Sequence, residues 1–170
     1  MRKARCGWVD MTEIGFYHIT CSTVDLVLPK LLEKVLASGK RALLRVGSEI
    51  RVKSLNTILW TYEQDSFLPH GTCFEGYSDN HPIWITHSVE NPNNSQVLIV
   101  LDNASISDFN DFDRYIELFD GNDVSAVNFA RERWKNYFAS GHALTYWEQS
   151  QNGGWVKSKE YTTIKTQTSN

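Results

Sequence analysis

The order of its first three segments constrains the fold of this chain more than any other feature of the sequence. Residues 14–19 are β-branched and aromatic, as expected for a strand. Leucines and valines then recur at helical spacing from Leu28 to Leu36, and residues 41–46 have the composition of a second strand. This β–α–β order predicts a parallel strand pair joined by a right-handed crossover.

Strand-like and helix-like segments continue to alternate along the chain. The patterns predict a helix from Ser48 to about Trp60, strands at 83–86 and 97–101, helices at 108–118 and 123–140, and a strand at 144–149 with 155–157 as an added edge. Residues 67–71 contain Pro69 and Gly71 and are expected to be irregular. The alternation predicts a three-layer α/β/α sandwich with a mostly parallel central sheet. The β–α–β opening has no phosphate-binding loop, because neither a GxGxxG nor a P-loop motif occurs.

Length and composition predict a single domain. The chain has 170 residues, of which 41% are hydrophobic and 22% charged, enough to bury a core without disulfides or a metal. We expect residues 11–157 to form the domain and residues 158–170 to be a polar C-terminal tail. Residues 1–10 are expected to be a disordered N-terminal extension before a natural start at Met11. No apolar run approaches the ~20 residues of a membrane span, so no membrane partner is expected.

Charge and cysteine content exclude several classes of protein. The formal net charge of −3 argues against a protein whose main role is to bind nucleic acid directly. Cys6, Cys21 and Cys73 are odd in number and lack CxxC spacing, which favours reduced thiols in a cytoplasmic protein over a disulfide framework or a zinc site.

Three histidines and a group of aspartates are the candidates for chemistry. Asp102 follows a central strand, where α/β enzymes place catalytic carboxylates, and could form an acidic rim with Asp108, Asp111 and Asp113. Capping of the following helix is the interpretation we prefer for these aspartates. His70, in a loop, could act as a general base, but no GxSxG-like nucleophile accompanies it.

A metal site could be drawn from His81 and His87, which flank a strand, with Asp79 nearby. A histidine pair without a third placed ligand is a weak signal, so we expect neither a metal nor a cofactor.

The helix at 123–140 is the strongest candidate for a binding site. Helical spacing places Val127, Ala130, Trp134, Tyr137 and Phe138 on its buried stripe. Arg131 and Lys135 border this stripe one turn apart, on either side of Trp134 in sequence. Such a groove could receive a carboxylate and an aromatic side chain, as an acidic–apolar chain-terminal peptide would offer. The alternative is a helix whose tryptophan is core and whose cations pair with Glu132 or solvent.

Several segments together resemble the chi subunit family of bacterial DNA polymerase III holoenzyme. The resemblance runs from about Met11 to Lys157 and rests on the strand–helix–Gly39-Lys40-Arg41–strand opening, on residues 59–71 (Leu-Trp-Thr-Tyr-Glu-Gln-Asp-Ser-Phe-Leu-Pro-His-Gly), on residues 116–121 (Ile-Glu-Leu-Phe-Asp-Gly) and on residues 130–135 (Ala-Arg-Glu-Arg-Trp-Lys) through Trp147.

The resemblance implies a Rossmann-like fold without a nucleotide site. It also implies a non-catalytic, cytoplasmic accessory subunit that acts in DNA replication and contacts DNA only indirectly. It would link the clamp loader, through the psi subunit or another component, to single-stranded DNA-binding protein, whose acidic C-terminal tail ends in Pro-Phe. The resemblance assigns tail binding to Arg131, Trp134 and Lys135, and the psi-facing surface to Trp60 and Phe67. Val127 stands where some members carry a lysine.

Two other classes of function remain open. One is a small α/β hydrolase or transferase that uses Asp102 with His70 or His87. The other is a direct single-strand binder that stacks bases on aromatic rings.

Overall fold

The computed structural model describes residues 12–107 and 111–161. This part of the chain contains eight strands, three α-helices and a 3-10 turn at Ser78–Asn80. In chain order the elements are β1 (Glu13–Ile19), α1 (Val24–Ala37), β2 (Ala42–Arg45), α2 (Glu49–Thr61), β3 (His70–Thr72), β4 (Ile83–Thr86), β5 (Val97–Val100), β6 (Arg114–Asp120), α3 (Val124–Ala139), β7 (Leu144–Gln149) and β8 (Trp155–Tyr161).

All eight strands form one sheet in the order β3-β4-β2-β5-β6-β1-β7-β8. Neighbouring strands are parallel except for β7 and β8, which form an antiparallel pair. β1 is enclosed between β6 and β7, so that Phe16 lies opposite both Glu117 and Tyr146. The mostly parallel sheet confirms the predicted fold class.

Helices cover both faces of the sheet. On one face, α1 and α2 bury Leu28, Leu32 and Leu55 against the strands. On the other, α3 packs Ala130 and Trp134 against a cluster that includes Phe16. We call these the α1/α2 face and the α3 face. They make the outer layers of the predicted three-layer sandwich.

Two helices begin directly after a residue whose side chain caps the helix. Ser48 precedes α2 and its hydroxyl accepts a hydrogen bond from the Arg51 amide at 3.3 Å. Asp123 precedes α3, and its carboxylate accepts from the amide of Ser125 at 2.8 Å. Both are N-caps that satisfy amides otherwise left without a partner. The predicted helices at 48–60 and 123–140 are confirmed.

The predicted helix at 108–118 is wrong. Residues 108–110 lie outside the described part of the chain, and Arg114–Asp120 is the central strand β6. Tyr115 and Phe119 face α3, whereas Ile116 and Leu118 face α1 and α2. Because both faces of this strand are buried, its sequence lacks the apolar–polar alternation that would have identified it.

Two further segments differ from expectation. His70 and Gly71, predicted to be irregular, belong to the short edge strand β3 (His70–Thr72), which pairs with β4. β8 extends from Trp155 to Tyr161, beyond the three-residue edge predicted from Trp155. The proposed N-terminal extension and residues 162–170 lie outside the described part of the chain. Within the described ranges, no helix is both long and apolar enough to cross a bilayer.

Candidate functional site: a groove between α3 and the β7–β8 hairpin

An open groove of about 290 Å³ lies on the α3 face, between α3 and the β7–β8 edge of the sheet. The α3 wall contributes Val127, Ala130, Arg131, Trp134 and Lys135, the floor contributes His18, Phe119 and Tyr146, and the hairpin wall contributes Glu148 and Lys159. The groove therefore brings together all three residues assigned to tail binding by the family resemblance.

Four of the five residues predicted to lie on the buried stripe of α3 are buried or partly buried. Ala130 is buried, and Val127, Trp134 and Tyr137 are partly buried against the core cluster of the α3 face. Phe138 is a correction, because its side chain is 54% exposed. Its ring does not enter the core but packs edge-to-face with that of Tyr161, with centroids 5.3 Å apart.

Three rings hold the Trp134 indole in place. The centroids of Phe16, Tyr146 and Tyr161 lie 5.1, 5.7 and 5.8 Å from that of Trp134, all in edge-on geometry. Edge-to-face pairs are a favoured arrangement of aromatic rings. Trp134 is thus fixed while it still lines the groove, so a ligand ring would meet a preorganised aromatic surface.

His18 and Tyr146 form a polar point in an otherwise aromatic floor. The His18 imidazole stacks on Phe119 with centroids 5.2 Å apart, and its Nδ1 is 3.0 Å from the Tyr146 hydroxyl. Burial raises the pKa of Tyr146, as does the nearby Glu148 carboxylate, and the Arg131 guanidinium opposes both. Glu148 and Arg131, which both line the groove, thus shift the pKa of Tyr146 in opposite directions.

Cations outnumber acids in the groove. Arg131, Lys135 and Lys159 line it with a single carboxylate, that of Glu148. Among the described residues, none of these three cations has a carboxylate within ion-pair distance, and Glu132 is not a partner of any of them. A groove with unpaired cations beside an anchored indole can accept a carboxylate and an aromatic group together.

Arg133, on the opposite flank of α3, has a different role that sequence reasoning missed. Its guanidinium lies 3.0 Å from the carboxylate of Glu117 and donates to the Ala104 carbonyl at 2.5 Å. The Tyr115 hydroxyl also donates to Glu117. Burial raises the pKa of Glu117, and Arg133 opposes that rise. A glutamate within an apolar run was the signal that a buried cation must lie nearby.

Trp60 and Phe67 form a second aromatic surface. Trp60 lies in the last turn of α2, Phe67 lies in the loop before β3, and their ring centroids are 5.8 Å apart. Their side chains are 56% and 67% exposed. Beneath them His70 is buried; its Nδ1 donates to the Leu68 carbonyl at 2.6 Å, and its Nε2 lies 3.0 Å from Asn56 Oδ1. The two residues assigned to the psi-facing surface are therefore adjacent and accessible.

The alternative catalytic set does not converge. His70 begins β3, in register with the first residue of β4, whereas Asp102 follows the last residue of β5. Parallel strands place these positions at opposite ends of the sheet, more than about 10 Å apart by strand rise alone. His87 follows β4 at the same end of the sheet as Asp102, but β2 lies between β4 and β5, which separates the two strands by about 10 Å. The His87 Nδ1 lies 3.6 Å from the Cys73 sulfur.

Asp102 belongs to a turn, not to a helix cap. Asp102 and Asn103 both have positive φ, 54° and 57°, and the Ala104 amide donates to the Leu101 carbonyl across them. Its carboxylate accepts from Arg51 Nε at 3.0 Å. The preferred capping interpretation is wrong for Asp102, because the segment it was thought to cap is strand β6.

The proposed acidic rim is also not formed by Asp102 and Asp113. Asp113 precedes β6, at the sheet end opposite Asp102, and pairs weakly with Lys40 at 3.9 Å. Asp108 lies outside the described residues.

A metal site needs several His, Cys, Asp or Glu side chains close together. The described ranges contain no group of three or more such residues that could hold a metal ion. His81 and His87 lie at opposite ends of β4, and His81 contacts Trp84 with centroids 5.9 Å apart. Cys21 and Cys73 are free thiols, and Cys6 is outside the described part.

Comparison with known proteins agrees with these features. The family model described as DNA polymerase III chi subunit, HolC, matches residues 11–145. A Rickettsia prowazekii (strain Madrid E) protein, "Probable DNA polymerase III subunit chi", is 29% identical over 109 residues, 64% of this chain and 66% of that protein. The DNA polymerase III subunit chi of Escherichia coli (strain K12) is 27% identical over 123 residues, 72% of this chain and 84% of that protein. Since the family match covers most of the chain, this protein belongs to the DNA polymerase III chi subunit family.

Proposed function

We propose that this protein is a non-catalytic, cytoplasmic accessory subunit of the replicative DNA polymerase that links the clamp loader to single-stranded DNA-binding protein. The observation that supports the proposal is the groove beside α3, in which Arg131 and Lys135 flank the anchored Trp134 and have no ion-pair partner in the described part of the chain. The acidic C-terminal tail of single-stranded DNA-binding protein is the proposed ligand.

The chemistry of the groove suits a chain end better than an internal peptide segment. A terminal carboxylate carries a full charge that Arg131 and Lys135, one helical turn apart, can contact together. A terminal phenylalanine can at the same time lie against Trp134, whose position is already fixed by three rings. Because the site is preorganised, most of the ordering cost falls on the peptide.

Calorimetry with a synthetic acidic peptide that ends in Pro-Phe tests the proposal. A short flexible peptide should bind with micromolar affinity, roughly −7 to −8 kcal/mol. The same peptide without its final Phe should lose about 2 kcal/mol or more, since it lacks the aromatic anchor. Equal affinity for the two peptides would refute tail binding.

Arg131→Ala is the matching change in the protein. It should cost about 2 kcal/mol of binding, the usual contribution of a charge-assisted hydrogen bond. Lys30→Ala is the control, because Lys30 is also an exposed cation but lies on α1, on the other face of the sheet. Added salt should weaken binding without abolishing it, because the aromatic contact is not screened.

Trp60 and Phe67 are the proposed contact for psi or another clamp-loader component. Two large rings that are more than half exposed and touch each other form an apolar patch typical of a protein interface. The two remaining classes of function have distinct signatures. Turnover that is lost in Asp102→Asn would indicate a hydrolase or transferase, and binding of single strands that weakens steeply with salt would indicate direct nucleic-acid contact.

A further inference from the structure

The β7–β8 hairpin forms one wall of the groove, although it lies almost wholly beyond residue 145, where the family match ends. Glu148 and Lys159 line the groove from this wall. Tyr161, the last residue of β8, contacts the rings of both Trp134 and Phe138. The matched residues therefore do not include most of this wall of the groove.

A bulge in β8 determines which of its lysines faces the groove. Tyr146 is paired with Lys159 and Trp147 with Lys157, so the register skips Ser158. In a regular strand, residues two apart share a face, and Lys157 and Lys159 would point the same way. The bulge changes this alternation, which is a known means of redirecting a side chain.

The contacts of the two lysines agree with this change of register. Lys157 Nζ lies 5.4 Å from the centre of the Trp147 ring, on the α1/α2 face, and 3.2 Å from the Glu160 carboxylate. Lys159 lines the groove on the α3 face. Within the described ranges no carboxylate pairs with Lys159 Nζ, and its charge is available to a ligand.

We propose that Lys159 is a third cationic contact for the acidic peptide, recognising side-chain carboxylates upstream of its terminal residue. The inference rests on the proposed tail binding. Arg131 and Lys135 are on the α3 wall, so Lys159 supplies positive charge from the opposite wall. It also offsets Glu148 of the same wall, which would otherwise repel an acidic ligand.

The lysine pair provides a matched test. Lys159→Met keeps the aliphatic stem and removes the charge, and Lys157→Met makes the same change two residues away on the other face. Calorimetry with the acidic peptide ending in Pro-Phe should show a loss of about threefold to tenfold for Lys159→Met. Lys157→Met should stay within about twofold of the unmodified protein, because its charge faces away from the groove.

A second peptide identifies which ligand groups Lys159 contacts. When the upstream aspartates of the peptide are replaced by asparagines and the Pro-Phe end is kept, the effect of Lys159→Met should largely disappear. Arg131→Ala should weaken both peptides, since it acts on the terminal carboxylate. Circular dichroism melts of the two lysine variants check that the exposed edge strand still folds.

The outcomes separate the two proposals. If Arg131→Ala and loss of the final Phe weaken binding but Lys159→Met and Lys157→Met behave alike, tail binding stands and the role of Lys159 is wrong. An effect of Lys159→Met that is equal for both peptides also contradicts the assignment to side-chain carboxylates. If the unmodified protein binds neither peptide, both proposals fall.

Discussion

Arg133 of α3 and Glu117 in the middle of β6 form an ion pair of 3.0 Å, with side chains only 13% and 3% exposed. Arg133→Met should therefore destabilise the fold by about 3–5 kcal/mol, because it leaves a carboxylate buried without a cation. Urea unfolding at neutral pH measures this loss. The double variant Arg133→Met/Glu117→Gln should recover much of it, since no uncompensated charge remains. Equal stability of the single variant and the unmodified protein would show that the pair is irrelevant to folding.

The stability of Arg133→Met should depend on pH. Burial raises the pKa of Glu117, and removal of the guanidinium raises it further. In the unfolded chain the same group ionises near pH 4.3. The folded variant thus binds more protons than the unfolded one above that pH, so its stability should fall as pH rises from about 5 to 8. The double variant, with glutamine at position 117, should show no such slope.

Tyr115 should ionise only at strongly alkaline pH. Its side chain is fully buried, and burial raises its pKa well above 10, with the Glu117 carboxylate acting in the same direction. Its contribution to stability is present below about pH 10 and is lost as pH rises through the folded-state value. Absorbance at 295 nm between about pH 9 and 12 follows this ionisation. Tyr115→Phe should remove one late-ionising group from the titration; an unchanged curve would contradict the assignment.

Gly121 is predicted to be essential for the floor of the groove. A Cβ there would lie 2.5 Å from the Ile19 carbonyl oxygen and closer still to Nε2 of His18. Gly121→Ala should cost about 1–3 kcal/mol of stability and displace His18, which would also weaken peptide binding. Thermal unfolding measures the first effect. Gly76→Ala is the control, because a Cβ at Gly76 meets nothing within 4 Å.

Phe67→Ala should leave the fold intact and weaken the contact with the clamp loader. The ring is 67% exposed, and its nearest aromatic neighbour, Trp60, is itself 56% exposed. Truncation therefore removes little buried area, and the melting temperature should change by no more than about 2–4 °C. A pull-down with purified clamp-loader components measures the contact. A large loss of stability would instead place Phe67 in the core and contradict its proposed role.

The helices and most strands could be predicted because their signals are local. Ser48 and Asp123 cap helices whose apolar spacing is regular, and the run at 97–101 is too apolar to be anything but central. β6 was mistaken for a helix because burial of both its faces removes the apolar–polar alternation of a strand. Its buried Glu117 is compensated by Arg133, which belongs to another element. A single-segment pattern contains no information about such a partner.

The candidate site shows the same division between local and distant information. Arg131, Trp134 and Lys135 are close in sequence, and helical geometry was sufficient to group them. His18, Phe119 and Lys159 come from β1, β6 and β8, and only the strand order of the sheet brings them to the same groove. The position of Lys159 at the groove depends in addition on the bulge in β8, which no periodicity in the sequence would reveal.

The strand order also sets the span between the two aromatic surfaces. Trp60 and Phe67 lie beside β3 at one edge, over the α1/α2 face, and the groove lies at β7 and β8, on the α3 face. Six strand spacings separate β3 from β7, roughly 29 Å of continuous hydrogen-bonded sheet. Ligands at the two ends would share no side chain, so neither would have to leave before the other arrives. The sheet would then act as a rigid spacer, which fixes the distance between two partners without transmitting a change of shape.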